Sequence, residues 1–276
     1  SDQFVNGQVD GYTIGEYPNP YDQTIFANMG VEESNFPSKY PEKYVAPQGF
    51  YKITPEIVEK KISHHLSLRF FTMDFPWASF GYPQYIALDL NLVRKLEDLL
   101  DLLRQNGIMV STFKPIYGFR PPAYNLGTMQ LRPEVNLKAP FSMHQYGKAV
   151  DLIIDEDGDD RLDDLNHDGQ VDVFDAAELV KYVNVLDKRY RDAGDEAVGG
   201  AGIYDRHDFE ERPVQSPYVH VDVRGYTGNG GALVRWPGMW PKPGQGVIQW
   251  ATLYPGQAQK DLAAMGPAEW IRRGKN

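Results

Sequence analysis

Two stretches of this sequence carry side chains able to do chemistry together. In "SMHQYGKAVD", residues 142–151, His144 and Asp151 lie seven apart, and Gly147 allows a turn between them. In "YVHVDVRG", residues 218–225, alternation places His220, Asp222 and Arg224 on one strand face and Val219, Val221 and Val223 on the other. With the valines turned to a core, the polar row would face a cleft. Two imidazoles and a carboxylate (His144, Asp151, His220) make a three-ligand zinc site with an open fourth position, the catalytic arrangement. Imidazole and carboxylate ligands suit zinc in a chain that has no cysteine. Asp222 stands about 7 Å along the strand from His220. It is a candidate general base acting on water, or alternatively the group that orients His220 or pairs with Arg224. Asp205, His207 and Asp208, on the preceding segment, are further candidates for the base.

A second kind of chemistry lies between these stretches. "DLNHDGQVDVFD", residues 164–175, has the spacing of an EF-hand-type calcium loop, with oxygen donors at positions 1, 3, 5, 7, 9 and 12 and glycine at 6. The ligands would be Asp164, Asn166, Asp168, the Gln170 carbonyl, Asp172 and Asp175, with Asp175 where glutamate is usual. The loop resembles those of dockerins and extracellular EF-like modules. Upstream, Asp155, Asp157, Asp159 and Asp163 offer a possible second calcium. The two loops overlap and only one helix is expected to follow, which weakens docking-module and sensor readings. Calcium is expected to be structural, fixing the crossover that brings His220 to His144 and Asp151.

The elements that must position these residues are partly legible. "DLNLVRKLEDLLDLLRQNG", residues 89–107, repeats leucine and valine at helical spacing, with Asp89 to cap it and Gly107 to end it. "IMVSTF", "VDLII" and "YVHVDV" read as strands, and a second helix is expected from near Asp175 to about Tyr190. This order fits α+β better than a βαβ series. Residues 1–60, rich in Tyr, Pro and Gly, read as an N-terminal extension that wraps on the main domain or forms a small strand-rich unit. Residues 61–240 would be the main domain, with the calcium-binding insertion at 155–176, and 241–276 a C-terminal tail; after Gly225 the chain, rich in Gly, Pro and Trp, reads as coil.

Composition narrows the function classes. The net charge is −10, and residues 155–175 alone hold ten carboxylates and one arginine, a net of −9, so −1 is left for everything else. Acidity this local argues against a nucleic-acid partner. No apolar run approaches the roughly 20 residues of a transmembrane helix, and no signal peptide is present. Millimolar external calcium would keep even a weak loop of this kind filled, which places the chain outside the cytoplasm, periplasmic or secreted. Nothing in the composition reveals an oligomeric state.

"SMHQYGKAVD" also fits the pattern Ser-x-His-x-x-Gly-x-Ala-x-Asp, and so resembles the zinc D-Ala-D-Ala carboxypeptidases and murein endopeptidases, which share a fold with the hedgehog signalling domain. "YGFRPPAYN", residues 117–125, is similar to the family's upstream arginine segment. "GGAGIY", residues 199–204, and "LVRW", residues 233–236, are similar to the branch whose last ligand lies in a His-x-Asp strand. The resemblance spans roughly residues 60–236. It implies a hedgehog/DD-peptidase-like antiparallel sheet flanked by helices. It also implies zinc on His144, Asp151 and His220, and Arg120 as the arginine that binds substrate and the developing oxyanion. Two positions depart from the pattern. Tyr117 replaces the usual serine, and Pro217 stands where many members carry the carboxylate of Glu-x-x-His. The implied activity is a zinc metallopeptidase acting on peptidoglycan peptides, as D,D-carboxypeptidase or endopeptidase. The alternatives are a non-catalytic cell-wall or protein-binding module on the same zinc-containing fold, and a calcium-dependent adhesion protein.

Overall fold

The leucine periodicity forms helix α1, Leu90–Gln105, in a computed structural model that describes residues 4–22, 37–73, 81–125, 140–205, 216–225 and 234–238. The Asp89 side chain caps it, accepting from the Asn91 amide at 2.9 Å. Leu96, Leu99, Leu100 and Leu103 are wholly buried. Each buried leucine contributes about 1.5–3 kcal/mol, so Leu96→Ala would cost about 2–5 kcal/mol. One residue breaks the apolar stripe: Lys95 lies on the buried face and is itself fully buried.

The site rests on a five-stranded sheet in the order β5-β6-β8-β7-β9. Its strands are β5 (Lys114–Tyr117), β6 (Ala149–Ile153), β7 (Ala201–Tyr204), β8 (Tyr218–Asp222) and β9 (Arg235–Gly238). All neighbours are antiparallel except β7 and β9, which run parallel. Mixed helices and mainly antiparallel sheet make the chain α+β. Two expectations are corrected. "IMVSTF" is not a strand; Val110 and Phe113 are buried there, and pairing begins only at Lys114, opposite Ile153. The segment after Gly225 is not all coil, because β9 adds an edge to the sheet.

Helix α2, Val173–Ala193, starts in a capping box: Asp172 accepts from the Phe174 amide, 2.7 Å, and Asp175 from the Asp172 amide, 2.8 Å. It ends at Gly194, whose φ of +67° only glycine adopts freely. α2 packs against α1, β7 and β8.

Strand β3 (Tyr51–Ile53) pairs antiparallel with β4 (Gln84–Ile86) across the expected boundary at residue 60. The first hairpin, β1 (Gln8–Val9) with β2 (Tyr12–Thr13), is followed by Ile14, and Val9 and Ile14 belong to the same hydrophobic cluster as the sheet. Residues 4–22 therefore wrap onto the body. The expected tail, 241–276, lies outside the described residues. Among the described residues no helix is long and apolar enough to cross a membrane.

Candidate metal centre

Antiparallel pairing of β6 with β8 sets Asp151 directly opposite His220. Side chains of such a pair share one face of the sheet. On the other side of β8 the partner of His220 is Gly202, which adds no side chain to that face. His144 comes from a short 3-10 turn, Met143–Tyr146. That turn closes on Gly147 at φ +66°, where a Cβ would lie 2.3 Å from the Ala87 carbonyl, so no other residue fits.

Three ligand atoms converge. His220 Nδ1 is 2.8 Å from Asp151 Oδ1, His144 Nε2 is 3.3 Å from the same oxygen, and the two nitrogens are 3.2 Å apart. A tetrahedral ion bound at about 2.0–2.1 Å keeps its ligand atoms about 3.3 Å apart. The donor set and spacing therefore fit a zinc-sized ion, and all three residues are buried. The outward nitrogens are held as a metal site requires. His144 Nδ1 donates to the Gly118 carbonyl at 2.8 Å, leaving Nε2 with its lone pair turned inward. His220 Nε2 donates to Asp222 Oδ2 at 2.9 Å, leaving Nδ1 to face Asp151.

The electrostatics differ between the two histidines. Burial, helped by the nearby Arg120 charge, pulls His144 down to about 4, so its imidazole is neutral near pH 7. Burial pulls His220 the same way, but its hydrogen bonds to Asp151 and Asp222 outweigh burial and raise it. Burial also opposes ionisation of Asp151, yet the two histidines hold it well below the carboxylate range. For Asp222, Arg224 and His220 overcome burial in the same way.

The surroundings of Asp222 fit the second of its two candidate roles. Its carboxylate is fully buried on the far side of the His220 ring from Asp151 and His144. Oδ1 accepts from the Gly200 amide at 2.6 Å and the Arg224 amide at 3.0 Å, and Oδ2 from Arg224 Nε at 2.7 Å as well as from His220. It orients His220 and pairs with Arg224, the alternative role. Every residue of β8 is buried, its polar row included. Of the other candidate bases, Asp205 directly follows β7, while His207 and Asp208 lie outside the described residues.

Arg120 is brought to the site. Its amide donates to the His144 carbonyl at 3.2 Å and its guanidinium to Ser142 Oγ at 3.0 Å. The guanidinium carbon lies 5.4 Å from the Tyr117 ring centre, so the tyrosine that departs from the family pattern forms a cation–π shelf. Arg120 is 8% exposed, and its Nε, buried, has no hydrogen-bond partner among the described residues.

The acidic loops follow β6, the strand that carries Asp151. Asp155, Asp157 and Asp159 have oxygens within 4.8 Å of one another. Asp163 instead accepts from the Glu156 amide, 3.1 Å. Asp155 and Asp160 both bind the Lys114 ammonium. In the second loop, Asp164, Asn166 and Asp168 accept from the amides of Asp168, Gly169 and Gln170, at 2.8–3.2 Å, folding the loop round Gly169, φ +82°. Asp175 is buried with both oxygens on backbone amides, those of Leu165, Asn166 and Asp172. Val171, the apolar residue at position 8 of this loop, is exposed. The loops also touch the last ligand strand: the Leu162 amide donates to Ser216 Oγ, 2.7 Å, just before β8.

Several contributors were not singled out from sequence. Lys95 had a signal, a charge on the apolar stripe of a helix. Asp187 and Lys114 had none, since their partners lie far away in sequence.

No family model, curated protein or solved structure matches the chain.

Proposed function

We propose that the chain is a zinc-dependent peptidase on a hedgehog/DD-peptidase-like fold, hydrolysing peptide bonds of bacterial peptidoglycan, as carboxypeptidase or endopeptidase. The observation that carries this is the convergence of His144 Nε2, Asp151 Oδ1 and His220 Nδ1 at tetrahedral spacing, each imidazole fixed by an outer hydrogen bond. A zinc ion held there supplies a Lewis acid and makes water acidic near pH 7. Three protein ligands leave one coordination position for substrate or water. Arg120 offers its unpartnered Nε–H to an anionic group, a peptide carboxylate or the oxygen that gains charge as the carbonyl is attacked. Ser142 and the Tyr117 ring hold the guanidinium still while it does so. With Asp222 committed to His220 and Arg224, the base that takes the proton is assigned to Asp205, His207 or Asp208.

We propose calcium as a structural ion of the acidic loops. Its support is the positive-φ turn at Gly169 within the ligand spacing, the clustered oxygens of Asp155, Asp157 and Asp159, and the contact of Leu162 with Ser216 beside β8. A secreted or periplasmic setting follows from calcium supply and from the substrate.

One observation favours the non-catalytic reading: the carboxylate nearest the ligands, Asp222, is spent on orientation. Incubating the zinc-loaded chain and its His144→Ala variant with purified peptidoglycan, then identifying released peptides by mass, separates the two. The peptidase reading expects release by the first alone. Binding to peptidoglycan without release supports the module.

A further inference from the structure

Behind the metal centre lies an ion pair that neither the ligands nor the fold's hydrophobic core requires. Lys95 of α1 and Asp187 of α2 are both wholly buried, with Nζ 2.5 Å from Asp187 Oδ1. The same ammonium donates to the main-chain carbonyl of Asp222, 2.9 Å away. Asp187 Oδ1 also accepts from the Gly199 amide at 3.2 Å. The next amide, of Gly200, donates to Asp222 Oδ1, and the Gly200 carbonyl accepts from the Asp222 amide at 3.0 Å. The glycine pair is pressed against Asp222: a Cβ on Gly199 would sit 1.9 Å from the Asp222 carbonyl oxygen, and one on Gly200 2.6 Å from Oδ2.

We propose that Lys95 and Asp187 are positioning residues for the metal site: they fix the main chain of Asp222 and the Gly199–Gly200 crossing beneath it, and through Asp222 they set the plane and tautomer of His220. A buried ion pair is weak as a stabilising device, because apolar residues of similar volume often serve as well or better. This pair has a geometric use that apolar residues lack. One ammonium and one carboxylate tie α1, α2, the start of β7 and the end of β8 to a single point. His220 Nδ1 must point at Asp151 for the site to exist, and on the other side of the ring Nε2 is held by Asp222. The zinc part of this inference rests on the proposed function; the placement of the imidazole does not.

The test replaces the pair by apolar residues, Lys95→Met/Asp187→Leu, so that no unpaired charge is buried. In metal-free wild-type protein the His220 Nε2–H, shielded by Asp222, gives a slowly exchanging imidazole signal in nitrogen-15 NMR. In the folded double variant that signal is expected to shift and exchange with water, and zinc affinity, read by competition with a chelator, to fall about 10–100-fold, as for loss of a partner behind a metal-binding histidine. A folded double variant with the wild-type imidazole signal and wild-type zinc affinity overturns the proposal. If wild-type protein takes up no zinc but the imidazole signal still changes in the variant, the metal reading falls and the positioning role stands. Should the first variant not fold, Lys95→Met/Asp187→Asn, which keeps an acceptor for the Gly199 amide, is read in the same way. Failure of both to fold assigns the pair to the scaffold and overturns the positioning role.

Discussion

Asp222→Asn separates an orienting carboxylate from a catalytic one. In the native site one oxygen accepts from two backbone amides, those of Gly200 and Arg224, and the other from His220 Nε2 and the Arg224 guanidinium. An asparagine amide fills the same space, but whichever way it turns, its NH2 faces two donors. It also leaves Arg224 without its counter-charge. Breaking a buried pair by removing one partner costs about 3–5 kcal/mol. Asp222 is fully buried but the Arg224 side chain is 21% exposed, so solvent offsets part of the loss; the lower end, about 3 kcal/mol, is expected. Zinc affinity should fall about 10–100-fold, equal to about 1.4–2.7 kcal/mol. Urea unfolding of metal-free protein reads the first quantity and chelator competition the second. Excess zinc should restore part of the turnover. A variant as stable as wild type, with unchanged zinc affinity and lost turnover, would refute this reasoning and return Asp222 to the role of base.

Gly199→Ala places a methyl group against a main-chain oxygen that cannot rotate away, so its cost in urea unfolding should reach or exceed the roughly 1–3 kcal/mol of ordinary overpacking; a neutral effect would show that the crossing is not tight. Because His220 is raised above 6.5 by Asp151 and Asp222, zinc must displace a proton from it below that pH, and calorimetry in buffers of different ionisation enthalpy should show proton release that declines as pH rises through the folded value. His144, pulled down to about 4, should add nothing to that release above about pH 5. The same raised pKa stabilises the metal-free chain fully below the unfolded value of 6.5 and is lost as pH rises through the folded value, so this contribution runs opposite to zinc affinity. Calcium at a hundredfold excess over its Kd should stabilise the chain by about 2.7 kcal/mol, raising the melting temperature in wild type and not in Asp168→Ala; equal melting with and without calcium would remove the ion from the account.

Regular periodicity was the legible part of the fold. α1 follows from leucine spacing and an aspartate cap, β8 from alternation of valine with polar residues, and β6 from a short apolar run that holds Asp151. β5 was hidden because its sequence, "KPIY", contains proline, while the more apolar run before it is spent on core contacts of Val110 and Phe113 rather than on a ladder. The wrapping of residues 4–22 depends on contacts such as the Tyr17 hydroxyl on the Gln145 carbonyl, 128 positions away, which no local pattern encodes. At the candidate site the ligand residue types could be read from spacing, but not which nitrogen each histidine turns inward. That choice is made by Gly118 and Asp222, through pairings set by strand register. Asp222 was ambiguous for the same reason: alternation placed it on the face of His220 without showing that the ring would stand between it and the other ligands.

The proposed chemistry needs one ion in one place, and anomalous diffraction at the zinc edge from crystals of the zinc-loaded chain observes it directly. The predicted result is a single strong peak within about 2.2 Å of His144 Nε2, Asp151 Oδ1 and His220 Nδ1. A peak bound by other atoms, or none at those three with zinc in excess, would contradict it.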